Sequence, residues 1–181
     1  MKLYTRGGDD GTTGLAGNQR VQKCDARIVA IGSVDETNAA IGVAAAHCSN
    51  DDLLAILRAI QSDLFVLGAQ LAGAQAGRRA VCIRDAQVYQ LENWIDQACA
   101  ATPPLANFVL PGGVETAADL HLARVLCRRA ERETVRLAED AAVDGVVLTY
   151  LNRLSDLLFA LARQANHRAG VADIPWTAPK V

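Results

Sequence analysis

Six apolar side chains, Leu53, Leu57, Ile60, Leu64, Leu67 and Leu71, recur at alternating steps of four and three. A strand would put every second residue on one face; this spacing instead lines all six along one stripe of a helix. Such a stripe is stable only against other helices. The same period returns along the chain. Ile28, Ile31, Val34 and Ile41, among many alanines, predict a first helix from Arg27 to about His47, and Ser49-Asn50-Asp51-Asp52 supplies a turn and N-cap for the second, which runs to about Ala72. Val88, Leu91, Ile95 and Ala98 predict a third, stopped before Thr102-Pro103-Pro104. A fourth begins near Glu115 or Thr116, after the Leu110-Pro111-Gly112-Gly113 turn, and continues through Leu137. Leu151, Leu154, Leu158 and Leu161 mark a fifth, after Asp144-Gly145 and fading at Gly170. The expected fold is all-α, a five-helix antiparallel bundle.

At 181 residues the chain suits one domain: a glycine-rich segment over 1–26, the bundle over 27–170 and an irregular tail over 171–181 that contains Pro175 and Pro179. Aromatics make up only 4% of residues, which disfavours a sandwich or barrel. Eighteen basic against twenty acidic residues, a net charge of −2, give no global reason to expect nucleic acid or an anionic membrane as partner. Any anion site must be local. The five cysteines are scattered with no C-x-x-C pair, and His47, His121 and His167 show no metal spacing, so no metal bound by protein side chains is expected. The early residues are polar and no apolar run approaches the roughly 18 residues of a membrane span, so the expected location is the cytoplasm.

Three segments could carry chemistry. Thr5-Arg6-Gly7-Gly8-Asp9-Asp10-Gly11-Thr12-Thr13-Gly14 sets four glycines among hydroxyl and charged groups, a composition that turns backbone N–H groups toward an anion. It is not a Walker A loop, lacking both the G-x-x-x-x-G-K-[ST] order and a preceding strand, and a flexible terminus is the alternative reading. Lys23 lies where this segment meets the first helix. His121, Arg124, Arg128 and Arg132 share one helical face, flanked by Arg129 and Glu131: a solvated surface, or a site holding something negative. Asn152 and Asp156 sit one turn apart beside the leucines of the fifth helix, and Asp35, Glu36 and Asn38 pose the same question on the first. A carboxylate opposite the arginines would answer it. Phe108, between a Pro-Pro stop and a Pro-Gly-Gly turn, is a core plug on residue type alone, with an apolar wall for a ligand as the alternative.

Together these segments resemble the PduO-type ATP:cob(I)alamin (corrinoid) adenosyltransferases. The resemblance rests on Tyr4 to Leu15, Gly32-Ser33-Val34-Asp35-Glu36-Thr37-Asn38, Gln61-Ser62-Asp63-Leu64-Phe65, Phe108 to Gly113, Cys127-Arg128-Arg129-Ala130-Glu131-Arg132 and Tyr150 to Asp156, in that order, and runs from Met1 to about His167. It implies a homotrimer with active sites between subunits. It further implies that Thr5, Arg6, Gly7, Gly8, Thr13 and Gly14 wrap the phosphates of ATP, that Lys23 approaches from the end of the loop, and that Arg128, Arg129, Glu131, Arg132 and Asn152 complete the pocket. Phe108 matches the position where the lower axial ligand of cobalt would otherwise sit, and Asp35 an acidic position pairing with an arginine across the interface, for which Arg128 is expected. These two, with Arg128, are the expected catalytic set.

The implied reaction is attack of Co(I) on C5′ of ATP, giving adenosylcobalamin and inorganic triphosphate. Magnesium is expected as cofactor, held mainly by ATP phosphates. A reductase and an adenosylcobalamin-dependent mutase are the implied partners. The alternative is a non-catalytic corrinoid and ATP-binding carrier or regulator serving such a mutase. Two departures stand out: Ala162 to His167 has no aromatic residue, and Ala16-Gly17-Asn18-Gln19-Arg20 is poorer in glycine than the family pattern.

Overall fold

The computed structural model describes residues 4–16, 19–73 and 82–178. Its helices are α1 (Ala26–Ala46), α2 (Asp51–Leu71), α3 (Asp85–Ala100), α4 (Glu115–Asp140) and α5 (Gly145–Arg168). Their starts follow from local chemistry. The side chains of Asp25, Asn50 and Asp144 accept hydrogen bonds from the N–H groups of Arg27, Leu53 and Val146, capping α1, α2 and α5.

Cross-links fix the helix directions. Arg27 donates to the carbonyl of Leu71, and Asn38 and Gln61 exchange side-chain-to-backbone bonds, so α1 and α2 are antiparallel. The pairs His47–Asp119 and Glu36–Arg129 do the same for α1 and α4, and His121–Phe159 and Glu131–Asn152 for α4 and α5. Arg153–Glu92 and Arg163–Pro103 make α3 and α5 run in the same direction. That is the geometry of an alternating five-helix bundle, whose odd-numbered members are parallel.

All six members of the α2 stripe are buried, against a core that includes Leu120, Leu151, Leu154 and Leu158. Each such side chain contributes about 1.5–3 kcal/mol relative to exposure.

Two expectations need correction. Residues 1–26 are not all loop: β1 (Thr12–Gly14) pairs antiparallel with β2 (Arg20–Gln22), Thr13 opposite Val21. Strands of three residues are too short to show a period. Second, α1 and α5 are long and apolar enough to cross a membrane by length and composition. Alanines with Val and Ile in α1 and leucines in α5 raise their mean hydropathy, and 44% and 56% of the respective apolar windows are buried in the bundle, as expected of its central helices. The tail over residues 171–176 is irregular but attached: Leu110 N–H donates to the Ile174 carbonyl, and Trp176 N–H to that of Phe108. Pro179, Gly17, Asn18 and part of the weakly patterned stretch after Gly73 lie outside the described residues.

Candidate functional site

The glycine-rich segment coils through two left-handed positions, Gly11 and the non-glycine Arg6, before entering β1. Its hydrogen bonds are local and exposed. Asp10 accepts from both the N–H and hydroxyl of Thr12, which, ahead of the Arg20 charge, hold its carboxyl below the usual value. Arg20, absent from the expected site, reaches across from β2 to the Gly7 carbonyl and the Thr12 hydroxyl. Lys23 closes the hairpin by donating its N–H to Gly11, and its ammonium lies beside Gly8, 3.3 Å from where a Cβ would stand. Thr5, Arg6, Gly7, Gly8, Thr13, Gly14 and Lys23 therefore belong to one small unit.

The arginine face of α4 is graded. His121 is buried against Phe159, with ring centroids 5.9 Å apart, and burial ahead of the nearby Arg124 charge lowers its pKa. Arg124 is half-buried, and its Nε is a buried donor without a hydrogen-bond partner. Desolvation, then Arg128, lowers its pKa. Arg128 and Arg132 are exposed, and Arg132 donates to the carbonyl of Arg128. Arg129 is ion-paired to Glu36 of α1, and Glu131 accepts from the Asn152 amide at 3.0 Å. So the structure joins Glu131 to Asn152 as expected and occupies Arg129 within the chain. Arg124 and Arg128 line a pocket of about 360 Å³ with Pro104, Leu105, Asp156 and Phe159, at the junction of α3, α4 and α5.

Phe108 overturns the reading as a core plug, being 81% exposed. The Phe108 carbonyl accepts from Trp176 and the Leu110 N–H donates to Ile174, two bonds that flank Val109 and tie the backbone carrying the ring to the tail. Beneath the loop lie residues the sequence did not single out as functional: Arg163, 9% exposed, donates to Asp173 and to the Pro103 carbonyl, and buried Asn166 bonds to Gly112 and Val114. Their only trace in the sequence is the run at the end of α5 where an aromatic is missing.

Among the described residues no hydrogen bond or ion pair joins Thr5–Gly14 to Arg128, Arg132 or Asn152. Asp35 is exposed on α1. The backbone donors of the N-terminal hairpin and the cations of the α4 face are thus not bonded to each other among the described residues.

Residues 3–165 match the family model described as cobalamin adenosyltransferase. The chain is 46% identical over 176 residues to a cobalamin adenosyltransferase of Cupriavidus metallidurans, covering 97% of this chain and 94% of the relative. It is 44% identical to the corrinoid adenosyltransferase PduO of Salmonella typhimurium over 96% of its own length, but spans only 52% of that longer protein. In structure it is similar to a phenylalanine-to-alanine variant of a PduO-type ATP:corrinoid adenosyltransferase from Lactobacillus reuteri complexed with cobalamin and ATP, with TM-score 0.93, 36% identity, and coverage of 98% of this chain and all of that one.

Proposed function

This chain belongs to the cobalamin adenosyltransferase family, and on that premise we propose that it transfers the 5′-deoxyadenosyl group of ATP to the cobalt of cob(I)alamin. The Co–C5′ bond forms as the C5′–O bond breaks, and the electron pair leaves with inorganic triphosphate. Cobalt supplies the nucleophile, so the chain needs no activated Ser or Cys. The protein's task is alignment and charge stabilisation.

The observation that carries this reading is the outward Phe108 ring on a segment tied to the tail by backbone bonds at Phe108 and Leu110. A hydrophobic ring held rigidly in the open is suited to cover one face of a large planar ligand. Placed where the lower axial ligand would donate, it leaves cobalt without that donor and makes reduction easier.

The hairpin donors from Thr5 to Gly14 and Lys23 grip the ATP phosphates, and Arg128 and Arg132, with Glu131 and Asn152, form the opposite wall. Guanidinium groups suit the roughly four negative charges of triphosphate. Because the two halves are unconnected within one chain, they meet between copies in a homotrimer. Asp35 then reaches the arginines of a neighbouring copy; Arg128 is its expected partner, and Arg124 is the residue whose buried Nε lacks one. Asp35→Asn should weaken ATP use and trimer assembly together, checked by kinetics and sedimentation; normal values for both would remove the pairing.

Magnesium does not fit as an ion caged by this chain: among the described residues no three His, Cys, Asp or Glu side chains cluster as ligands. It enters with the ATP phosphates. The location is the cytoplasm, and a reductase and an adenosylcobalamin-dependent mutase are the partners.

The test is direct. ATP, magnesium and chemically reduced cobalamin are mixed with the protein and the absorbance change of adenosylation is followed. Turnover supports the enzyme; spectral silence under strictly reducing conditions leaves only a carrier or regulator.

A further inference from the structure

Three side chains below the Phe108 loop form a closed network that the reaction does not itself require. Arg163 Nε donates to Asp173 Oδ2 at 2.7 Å and its Nη2 to the Pro103 carbonyl at 2.8 Å. Asn166 accepts from Val114 N–H at 3.0 Å through Oδ1, while its Nδ2 donates to the Gly112 carbonyl at 3.0 Å and to Asp173 Oδ1 at 3.4 Å. α5 thus grips the loop where it begins, at Pro103, and where it ends, at Gly112 to Val114. Asp173 joins both grips to the tail, and the tail bonds the loop's centre at Phe108 and Leu110. Gly113 completes the fit: its φ of +111° lies in the left-handed region, and a Cβ there would collide with the Asn166 side chain.

Arg163 is 9% exposed and Asn166 3%. An ion pair so little solvated is a poor way to gain stability, since apolar side chains of similar size commonly do as well or better, but its fixed donor geometry sets register. The register set here is that of the residues flanking Phe108. Arg163 also lines the pocket of about 360 Å³ that holds Arg124 and Arg128, and a second of about 470 Å³ bounded by Asn107, Val109 and Asp173. The network is therefore continuous with the walls on both sides of the loop.

We propose that Asp173, through Arg163 and Asn166, is a positioning residue that holds Phe108 at the height where its ring excludes a lower axial donor from the cobalt of the bound corrinoid. This rests on the reading of Phe108 given above. Loss of the Asp173 carboxylate leaves Arg163 without its counterion and loosens the tail from α5, to which, among the described residues, only the Val171 N–H to Asn166 carbonyl bond would still tie it there. The ring is then no longer held in register, while the phosphate donors proposed in the N-terminal hairpin, which among the described residues make no hydrogen bond to this network, keep their places.

The experiment compares full-length wild type, Asp173→Ala, Asp173→Asn and Phe108→Ala, each with ATP, magnesium and cob(II)alamin. The readouts are the absorption and electron paramagnetic resonance signature of cobalt that has lost its lower axial ligand, the rate of adenosylation from cob(II)alamin, and the KM for ATP. For Asp173→Ala the signature should fall and the cob(II)alamin rate drop tenfold or more, since displacements near 1 Å carry effects up to about a hundredfold. Its KM for ATP and its rate from pre-reduced cob(I)alamin should stay within about twofold. Asp173→Asn, which keeps an acceptor for Arg163, should recover part of both losses and is the decisive variant if the alanine protein does not fold. A wild-type signature in both Asp173 variants, with Phe108→Ala losing it, overturns the proposal and spares the Phe108 reading. Uniform loss of every rate together with melting temperature in both variants also overturns it, as mere scaffolding. A wild-type signature in Phe108→Ala overturns the Phe108 reading, and the positioning role falls with it.

Discussion

The loop that presents Phe108 and the loop that presents the phosphate donors are built in opposite ways. The first is held from the outside: α5 fastens its two ends through buried Arg163 and Asn166, and the tail fastens its middle. The second is held by itself, through Asp10, Thr12 and Arg20 within one short hairpin, in bonds open to water. Exposed bonds of that kind open at little cost, whereas a buried network opens only with its surroundings. The difference suits two ligands. A planar corrinoid gains from a wall already in place, because rigidity settled during folding need not be taken from binding energy. A triphosphate supplies its own strong acceptors and can order the donors around it, so the hairpin is proposed to close over nucleotide.

The sharpest way to break this contrast is to remove the ring. Phe108→Ala should retain ATP binding within about twofold, yet lose on the order of a hundredfold in adenosylation starting from cob(II)alamin. The rigid loop would then be shown to serve the corrinoid alone. Loss of ATP affinity instead would mean that the two loops are one cooperative unit.

How much of this could be read from the chain alone differs between the same two regions. The α2 stripe and the Pro and Gly stops gave helix limits within a few residues, because helical period and caps are local. The hairpin's residues were found by composition, although its strands were not, since Thr12–Gly14 and Arg20–Gln22 each span less than one legible repeat. Phe108 was misplaced by residue type, which favours burial; only its resemblance to a family position put it at the site. Arg163, Asn166 and Asp173 left almost no signal. Their partnership joins α5, a loop some 60 residues earlier and a tail that follows, and such tertiary pairings have no period.

A milder probe acts on the self-held loop. A Cβ at Gly8 would stand 3.2 Å from the Thr12 carbonyl and 3.3 Å from the Lys23 ammonium. Both must give way by a few tenths of an ångström, and both lie in the half proposed to bind phosphate. Gly8→Ala should raise the KM for ATP by about five- to tenfold, close to 1 kcal/mol, while kcat at saturating ATP and the axial-ligand signature stay near wild type. A changed signature with unchanged KM would reverse the assignment of the two loops.

The smallest effect tests the end of α4 into which the Phe108 loop feeds. His47, just past α1, places Nδ1 2.7 Å from Asp119 and Nε2 3.5 Å from Glu115, and its carbonyl accepts the Thr116 hydroxyl at 2.8 Å. The Asp119 hydrogen bond, opposed by burial and helped by the charge of Glu115, raises the imidazole above its ordinary 6.5. Arg168 lines the same pocket. A raised pKa means that the folded state holds the proton more tightly, so the latch contributes fully below pH 6.5 and loses its contribution as pH climbs through the folded value. Melting temperature should therefore decline slightly between pH 6 and pH 8, and His47→Gln should flatten that slope while leaving the KM for ATP unchanged, because the hairpin lies at the opposite end of α1. The effect is small, the imidazole being open to solvent. An unaltered slope in His47→Gln would place the pH sensitivity elsewhere, and a shifted KM would mean that the two ends of α1 communicate.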